Sequence, residues 1–156
     1  MYSGKTSSAF SRKMLRLSAQ RALGALSYLV PVEHTAAARE ILGSGPLLLP
    51  VQAVVLETDP IRARELARRF LATYLRLPNY VNHLRRLGWS DAELVDPSDA
   101  RVDSIVAWGS PHDVVERLRA QLGAGADHVP VQVLTADERS LPIAEWRALA
   151  ATLLDI

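Results

Sequence analysis

A chain of 156 residues can bury a real core and suits one domain. Eighteen basic residues stand against seventeen acidic ones, for a net charge of +1, and most arginines sit among Ala, Leu and Glu at helical spacing, so nothing points to nucleic acid. Cys is absent from the sequence, which excludes disulfides, thiolate chemistry and Cys-ligated metal; no apolar run reaches the roughly 20 residues that span a bilayer, and a cytoplasmic location is expected.

The first twelve residues are short, polar and without an apolar signal core, so 1–12 is expected to be a disordered start and 13–156 the domain. Gly4-Lys5-Thr6 ends like a phosphate-binding loop but lacks the upstream glycine and the preceding strand. Ser11 to Leu23 reads as a helix, with Leu15, Ala19, Ala22 and Leu23 on one face and Gly24 as its stop. Ala25 to Val30 reads as a buried strand ended by Pro31, and Glu33 to Leu42 as a second helix stopped by Gly43-Ser44-Gly45-Pro46. Leu47 to Leu56 reads as a strand covered on both faces, because Val and Leu run continuously. Asp59-Pro60 caps a long helix that runs to about Arg76.

Pro78 breaks that helix and starts another, Asn79 to Leu87, ended by Gly88. Ser90 caps a short turn, 96–99 is a loop, and Val102 to Trp108 reads as a short helix closed by Gly109. Ser110-Pro111 opens a helix to Leu122, and Gly123 to Ala126 turns the chain. His128 to Leu134 reads as a strand in which Pro130 forces an edge or an irregularity. Ile143 to Leu154 is the last helix. The order is a helix followed by three strand–helix units, with extra helices between the second and third strands. That alternation predicts a parallel α/β sheet with right-handed crossovers.

Several phrases, taken in order, resemble the luciferase-like monooxygenase superfamily, in particular its deazaflavin (coenzyme F420) dependent oxidoreductases. They are Lys13 to Leu17 with Arg21 to Ala25, Tyr28 to Thr35, Ala38 to Gly43, Leu77-Pro78-Asn79-Tyr80, Leu87 to Ser90, Ala107 to Pro111, Gly123 to Val129 and Val131 to Leu134. The resemblance runs from about Met14 to the end. It implies a partial TIM (β/α)8 barrel of about three parallel strands with surrounding helices, the last three strands of eight. The glycine-rich segment of the family's earlier strands has no counterpart here, and Gly4 to Ser8 does not read as the strand expected before Ala25. A truncated barrel half is therefore expected, with F420 (alternatively FMN) not held by this chain alone.

In such barrels chemistry sits at the C-terminal ends of the strands. The end of the first strand offers Tyr28, followed by Glu33, His34 and Thr35. His34 is the candidate catalytic residue, since imidazole titrates near neutral pH; otherwise it is a surface residue near a helix N-terminus. Tyr28, Thr35 and Tyr80 are candidates for substrate contact. Gln132, on the same strand face as His128, is a candidate for a deazaflavin ring amide, and Arg139 for a phosphate or acidic group. The four histidines have no metal-ligand spacing, and no Gly-x-Ser-x-Gly elbow supports a hydrolase. Two functions follow: hydride transfer to or from a small organic molecule, or a non-catalytic remnant that associates through open sheet edges, a second copy being one such partner.

Overall fold

The computed structural model describes residues 7–8, 11–137 and 139–154. The elements in chain order are β1 (Ser7–Ser8), α1 (Arg12–Arg21), β2 (Gly24–Tyr28), α2 (Val32–Leu42), β3 (Leu47–Val55), α3 (Pro60–Tyr74) and α4 (Pro78–Arg86). They continue with α5 (Asp91–Val95), α6 (Asp99–Ile105), β4 (Val106–Trp108), α7 (Pro111–Gly123), β5 (Val131–Val133) and α8 (Ile143–Leu154). The chain divides into two compact units, one of 1–52 with 118–131 and one of 53–117 with 132–156.

In the first unit β2 pairs in parallel with β3, Gly24 beside Leu47 through Tyr28 beside Val51. β1 pairs in parallel with β2, Ser7 beside Ala25 and Ser8 beside Leu26. The strand missing from the sequence reading is thus present at Ser7–Ser8, too short and too polar to carry an alternation signal. The expectation of disorder over 1–12 otherwise falls mostly outside the described residues. Leu15 of α1, Ala25 of β2, Ala38 and Leu42 of α2 and Leu48 of β3 form one buried cluster. Each buried leucine there contributes about 1.5–3 kcal/mol.

Gly24 was expected to stop a helix, and it opens β2 instead. A Cβ at this position would lie 2.1 Å from the Leu47 carbonyl oxygen, so the two strands approach more closely than any side chain permits.

Arg39 ties the unit together. Its Nε donates to the Gly125 carbonyl at 2.8 Å, and Nη1 donates to the carbonyls of Gly43 and Pro46 at 2.6 and 2.9 Å. Nη2 donates to the Asp127 carboxylate, which also accepts from the Leu48 N–H at 2.7 Å. One guanidinium therefore joins the C-terminal end of α2, the start of β3 and the turn after α7.

In the second unit the far end of β3 pairs in parallel with β4, Ala53 beside Val106 through Val55 beside Trp108. β5 also pairs with β3, and Leu134 donates its N–H to the Val54 carbonyl at 2.8 Å. The stretch expected as a helix over Val102 to Trp108 is a helix to Ile105 and then a strand. Val102 and Ile105 keep helical spacing on a buried face, but Val106 leaves the helix with extended backbone, φ −107° and ψ 122°. The strand expected over His128 to Leu134 shortens to Val131–Val133, because Pro130 lacks a donor; its carbonyl still accepts from the Gln52 N–H at 2.9 Å.

Helix starts follow the sequence. Asp59 accepts from the N–H groups of Ile61 and Arg62, with Pro60 in the first turn of α3. Ser90 and Glu93 form a reciprocal capping box on α5. Hydrogen bonds from the Arg101 guanidinium, the Ser90 N–H and the Ser90 hydroxyl hold the Glu93 carboxyl down from 4.5 to about 2. A depressed carboxyl contributes stability that is present above the unfolded value of 4.5 and is lost as pH falls toward 2. Wild type should therefore be more stable than Glu93→Gln near neutrality, and the gap should close over that acid window when urea midpoints are measured. A gap that does not change with pH would contradict this account.

Asp103 collects a second cluster. It accepts from Arg64 Nε at 3.0 Å and Nη2 at 2.6 Å, and from Trp108 Nε1 at 2.7 Å. The Arg64 guanidinium carbon lies 5.0 Å from the Trp108 ring centroid. Burial pushes the Asp103 carboxyl up, but the Arg64 and Trp108 hydrogen bonds and the charges of Arg64 and Arg117 outweigh it and hold the group below its ordinary value. This cluster fixes α3, α6 and β4 to one another.

Candidate functional site

The first unit carries Tyr28, His34 and Thr35. Side chains alternate along a strand, and Ala25 and Leu48 face the helices. Leu26 and Tyr28 of β2, with Leu49 and Val51 of β3, therefore share the opposite face, where all four are half-buried. Register places Leu26 beside Leu49 and Tyr28 beside Val51. Tyr28 thus ends β2 at its C-terminal edge, on the face that a barrel turns inward. The chain then turns at Leu29, whose φ of 53° is left-handed although its side chain is buried.

His34 lies in the first turn of α2, half-buried, its N–H donating to the Pro31 carbonyl at 3.1 Å. Thr35 is fully buried. Its hydroxyl donates to Gln121 Oε1 at 2.6 Å, and Gln121 Nε2 donates to Gln52 Oε1 at 3.1 Å. Thr35, Gln121 and Gln52 form a buried polar chain linking α2, α7 and β3, so the Thr35 hydroxyl points into the unit and not toward an open surface. Sequence reading missed this chain because Gln121 lies 86 residues from Thr35.

The second unit holds Tyr80, Gln132 and Arg139, and a cavity of about 420 Å³. Helix α3 lines it with Leu66, Arg69, Phe70, Thr73 and Tyr74. β5 and the segment after it contribute Gln132 to Ala136 and Ser140 to Pro142. The spacing of the α3 residues puts them on one face, while Ala63, Ala67 and Leu71 are buried on another. The cavity therefore stands at the C-terminal end of β5, where parallel α/β folds place their ligands. Its size falls within the range of small-molecule sites, about 300–1,000 Å³.

Gln132 lines this cavity. Tyr80 backs it: its ring meets Tyr74 edge-on at 4.9 Å, and Tyr74 meets Phe70 in the same way at 5.1 Å. Burial, then the neighbouring Tyr74, push the Tyr80 phenol above its ordinary 10.0, so it stays protonated at neutral pH. Arg139 is exposed next to Ser140, which lines the cavity. The loop is closed by Asp137, which accepts from the Arg139 N–H at 3.0 Å and the Ser140 hydroxyl at 2.5 Å. Those two bonds hold the Asp137 carboxyl below its ordinary value. The α3 lining was missed in the sequence because Leu66, Phe70 and Tyr74 carry the spacing of an ordinary core face.

Among the described residues no group of three or more His, Asp or Glu could hold a metal ion, and no helix is long and apolar enough to cross a membrane.

No protein-family profile and no curated protein matches this chain. Solved structures do. One is the coenzyme F420 dependent tetrahydromethanopterin reductase from Methanopyrus kandleri, with a TM-score of 0.60 and 19% identity over 81% of this chain and 43% of that one. Another is an F420-dependent secondary alcohol dehydrogenase in complex with an F420-acetone adduct, with a TM-score of 0.60 and 9% identity over 85% and 43%. A third is EDTA monooxygenase from Chelativorans sp. BNC1, with a TM-score of 0.56 and 16% identity over 96% and 44%. At these identities the likeness is one of fold. It is the α/β, partial-barrel fold that the luciferase-like resemblance implies, and the chain spans less than half the length of those structures.

Proposed function

We propose that this chain forms part of a luciferase-like, deazaflavin-dependent oxidoreductase in which a hydride passes between F420 and a small organic substrate. The observation that carries this reading is the coincidence of fold and cavity. The chain shares its fold with two F420-dependent enzymes, and a small-molecule-sized cavity stands at the strand end where such folds act.

The residues present fit the ring of a deazaflavin better than its tail. The ring carries an imide N–H between two carbonyls, and the Gln132 amide can both donate and accept. The anionic tail asks for cations, and Arg139 is one exposed candidate. When bound, F420 supplies the hydride donor or acceptor. The protein's own residues position the substrate: Phe70 and Tyr74 offer ring faces, and the protonated Tyr80 stiffens them. The first unit is read by itself: there Tyr28, at the end of β2, is the proposed substrate contact. His34 holds or delivers the proton that accompanies hydride transfer. Thr35 keeps its place as a candidate only through the helix it anchors, since its hydroxyl already serves Gln121. The remaining contacts to the cofactor come from the strands that complete a barrel, and FMN is the alternative carrier.

A second reading, an association module without catalysis, is favoured by one observation. Ile143, Trp146, Leu153 and Leu154 form an exposed apolar stripe on α8, Leu154 being 83% exposed. Titrating purified protein with F420 and separately with FMN, while following emission from Trp89, Trp108 and Trp146, tests both. Saturable quenching by F420, weak because the strands that complete a barrel supply the remaining contacts and weaker still in Gln132→Ala, supports the oxidoreductase reading. Absence of any saturable signal, together with self-association on sizing, would sink the oxidoreductase reading in favour of the second.

A further inference from the structure

We propose that the cavity against α3 selects small aromatic ligands that carry a single negative charge, with Arg69 as the residue that meets the charge. The inference rests on reading this cavity as the substrate side of the oxidoreductase site.

The first observation is how α3 spends its arginines. Arg62 faces Glu57 at 3.8 Å and Asp59 at 3.9 Å. Arg64 meets Asp99 at 3.1 Å and Asp103 at 2.6 Å, and Arg68 meets Asp99 at 2.6 Å. Arg69 has no carboxylate partner among the described residues, and it is the arginine of this helix that lines the cavity. Three guanidiniums are therefore neutralised within the unit, while the fourth is left facing whatever enters.

The second observation is the rest of the wall. None of the described lining residues is acidic, and the carboxylate beside the lining, Asp137, is engaged by the Arg139 N–H and the Ser140 hydroxyl, so a cationic ligand would meet Arg69 without an acidic partner in the wall. Among the described lining residues a ligand with several negative charges would find one guanidinium, with Arg139 outside the lining. Phe70 and Tyr74 present aromatic surfaces whose rings are held edge to face, and Leu66 extends the apolar wall. Gln132 adds a neutral amide near the end of β5, and Thr135, whose hydroxyl donates to the Asp137 carbonyl at 2.9 Å, adds an acceptor suited to a hydroxyl on the ligand. A flat ring system with one carboxylate satisfies all of these groups. A carboxylate can take two parallel hydrogen bonds from a guanidinium, which an amide of the same shape cannot match.

The test uses three probes of one shape at pH 7: 2-naphthoate, 2-naphthamide and 2-naphthylmethylammonium, with no F420 added. Binding is followed by ligand-observed NMR titration of the whole chain. Naphthoate should bind most tightly, the amide more weakly, and the ammonium not at all over the same concentration range. Arg69→Gln should weaken naphthoate by about three- to tenfold, the scale of an ion pair at a partly open rim, and leave the amide unchanged. Phe70→Leu should weaken naphthoate and amide alike, with circular dichroism confirming that both variants fold. The proposal is overturned if the amide or the ammonium equals naphthoate on wild type, if Arg69→Gln leaves naphthoate binding unchanged, or if no probe binds. Selective naphthoate binding in a protein that ignores F420 would remove the oxidoreductase reading and leave this one standing. F420 binding without naphthoate binding would do the reverse.

Discussion

Replacing Gly24 with alanine is expected to cost about 3 kcal/mol or more, enough to leave much of the chain unfolded at moderate urea. The added Cβ would sit 2.1 Å from the Leu47 oxygen, 2.7 Å from its carbonyl carbon and 2.8 Å from its Cα. All three are backbone atoms of the neighbouring strand, so no side chain can swing away to relieve the overlap. β2 would have to move off β3 or slip in register, and a one-residue slip would turn Ala25 out of the buried cluster. Gly45 provides the control: nothing lies within 4 Å of a Cβ placed there, and Gly45→Ala should change stability by less than about 0.5 kcal/mol. Equal and small effects at the two positions, measured by urea unfolding with Trp emission, would mean that the Gly24–Leu47 pairing is wrong.

Arg39→Ala is the other large effect. Four hydrogen-bonding partners lose a charged donor at once: the carbonyls of Gly43, Pro46 and Gly125, and the Asp127 carboxylate. The side chain is 21% exposed, so water can take over part of this role, and a loss of about 2–4 kcal/mol is expected. Arg39→Lys should recover less than half of it, because an ammonium cannot reproduce the planar fork that reaches three separate chain segments. Asp127→Asn should cost less than Arg39→Ala, since an amide oxygen still accepts from the Leu48 N–H. Hydrogen exchange at Leu48 offers a local readout, and its protection should drop in Arg39→Ala before the global transition. Full recovery of stability by lysine would show that only charge matters at this position.

The parts of the fold that were legible are those punctuated by residues with one strong local role. Asp59-Pro60, Pro78 and Ser110-Pro111 bound helices in the sequence and bound them in the structure, because a missing donor or a capping oxygen acts within one turn. What stayed hidden depends on distant partners. Gly24 looks like a helix stop until Leu47, twenty-three residues on, is seen to press against it. Val106-Ala107-Trp108 continues the spacing of Val102 and Ile105, and a strand of three residues has too little alternation to contradict a helix. At the candidate site, strand parity gave Gln132 a strand face and made it a candidate. It could not show that Thr35 is committed to Gln121, nor that Leu66, Phe70 and Tyr74 border a cavity, because the same periodicity serves a packed face and a ligand wall equally well.

The backbone at Leu29 has a consequence for how this sequence can drift. A left-handed conformation costs a branched-at-γ residue about 1–2 kcal/mol relative to glycine, yet the side chain is only 2% exposed and its burial contributes about as much. Glycine relaxes the main chain and empties the interior; valine or isoleucine fills the interior and clashes with the main chain. The position therefore tolerates few occupants, leucine and methionine foremost. Because it joins Tyr28 to the helix that carries His34, a narrow mutational latitude falls between two residues proposed to act on substrate.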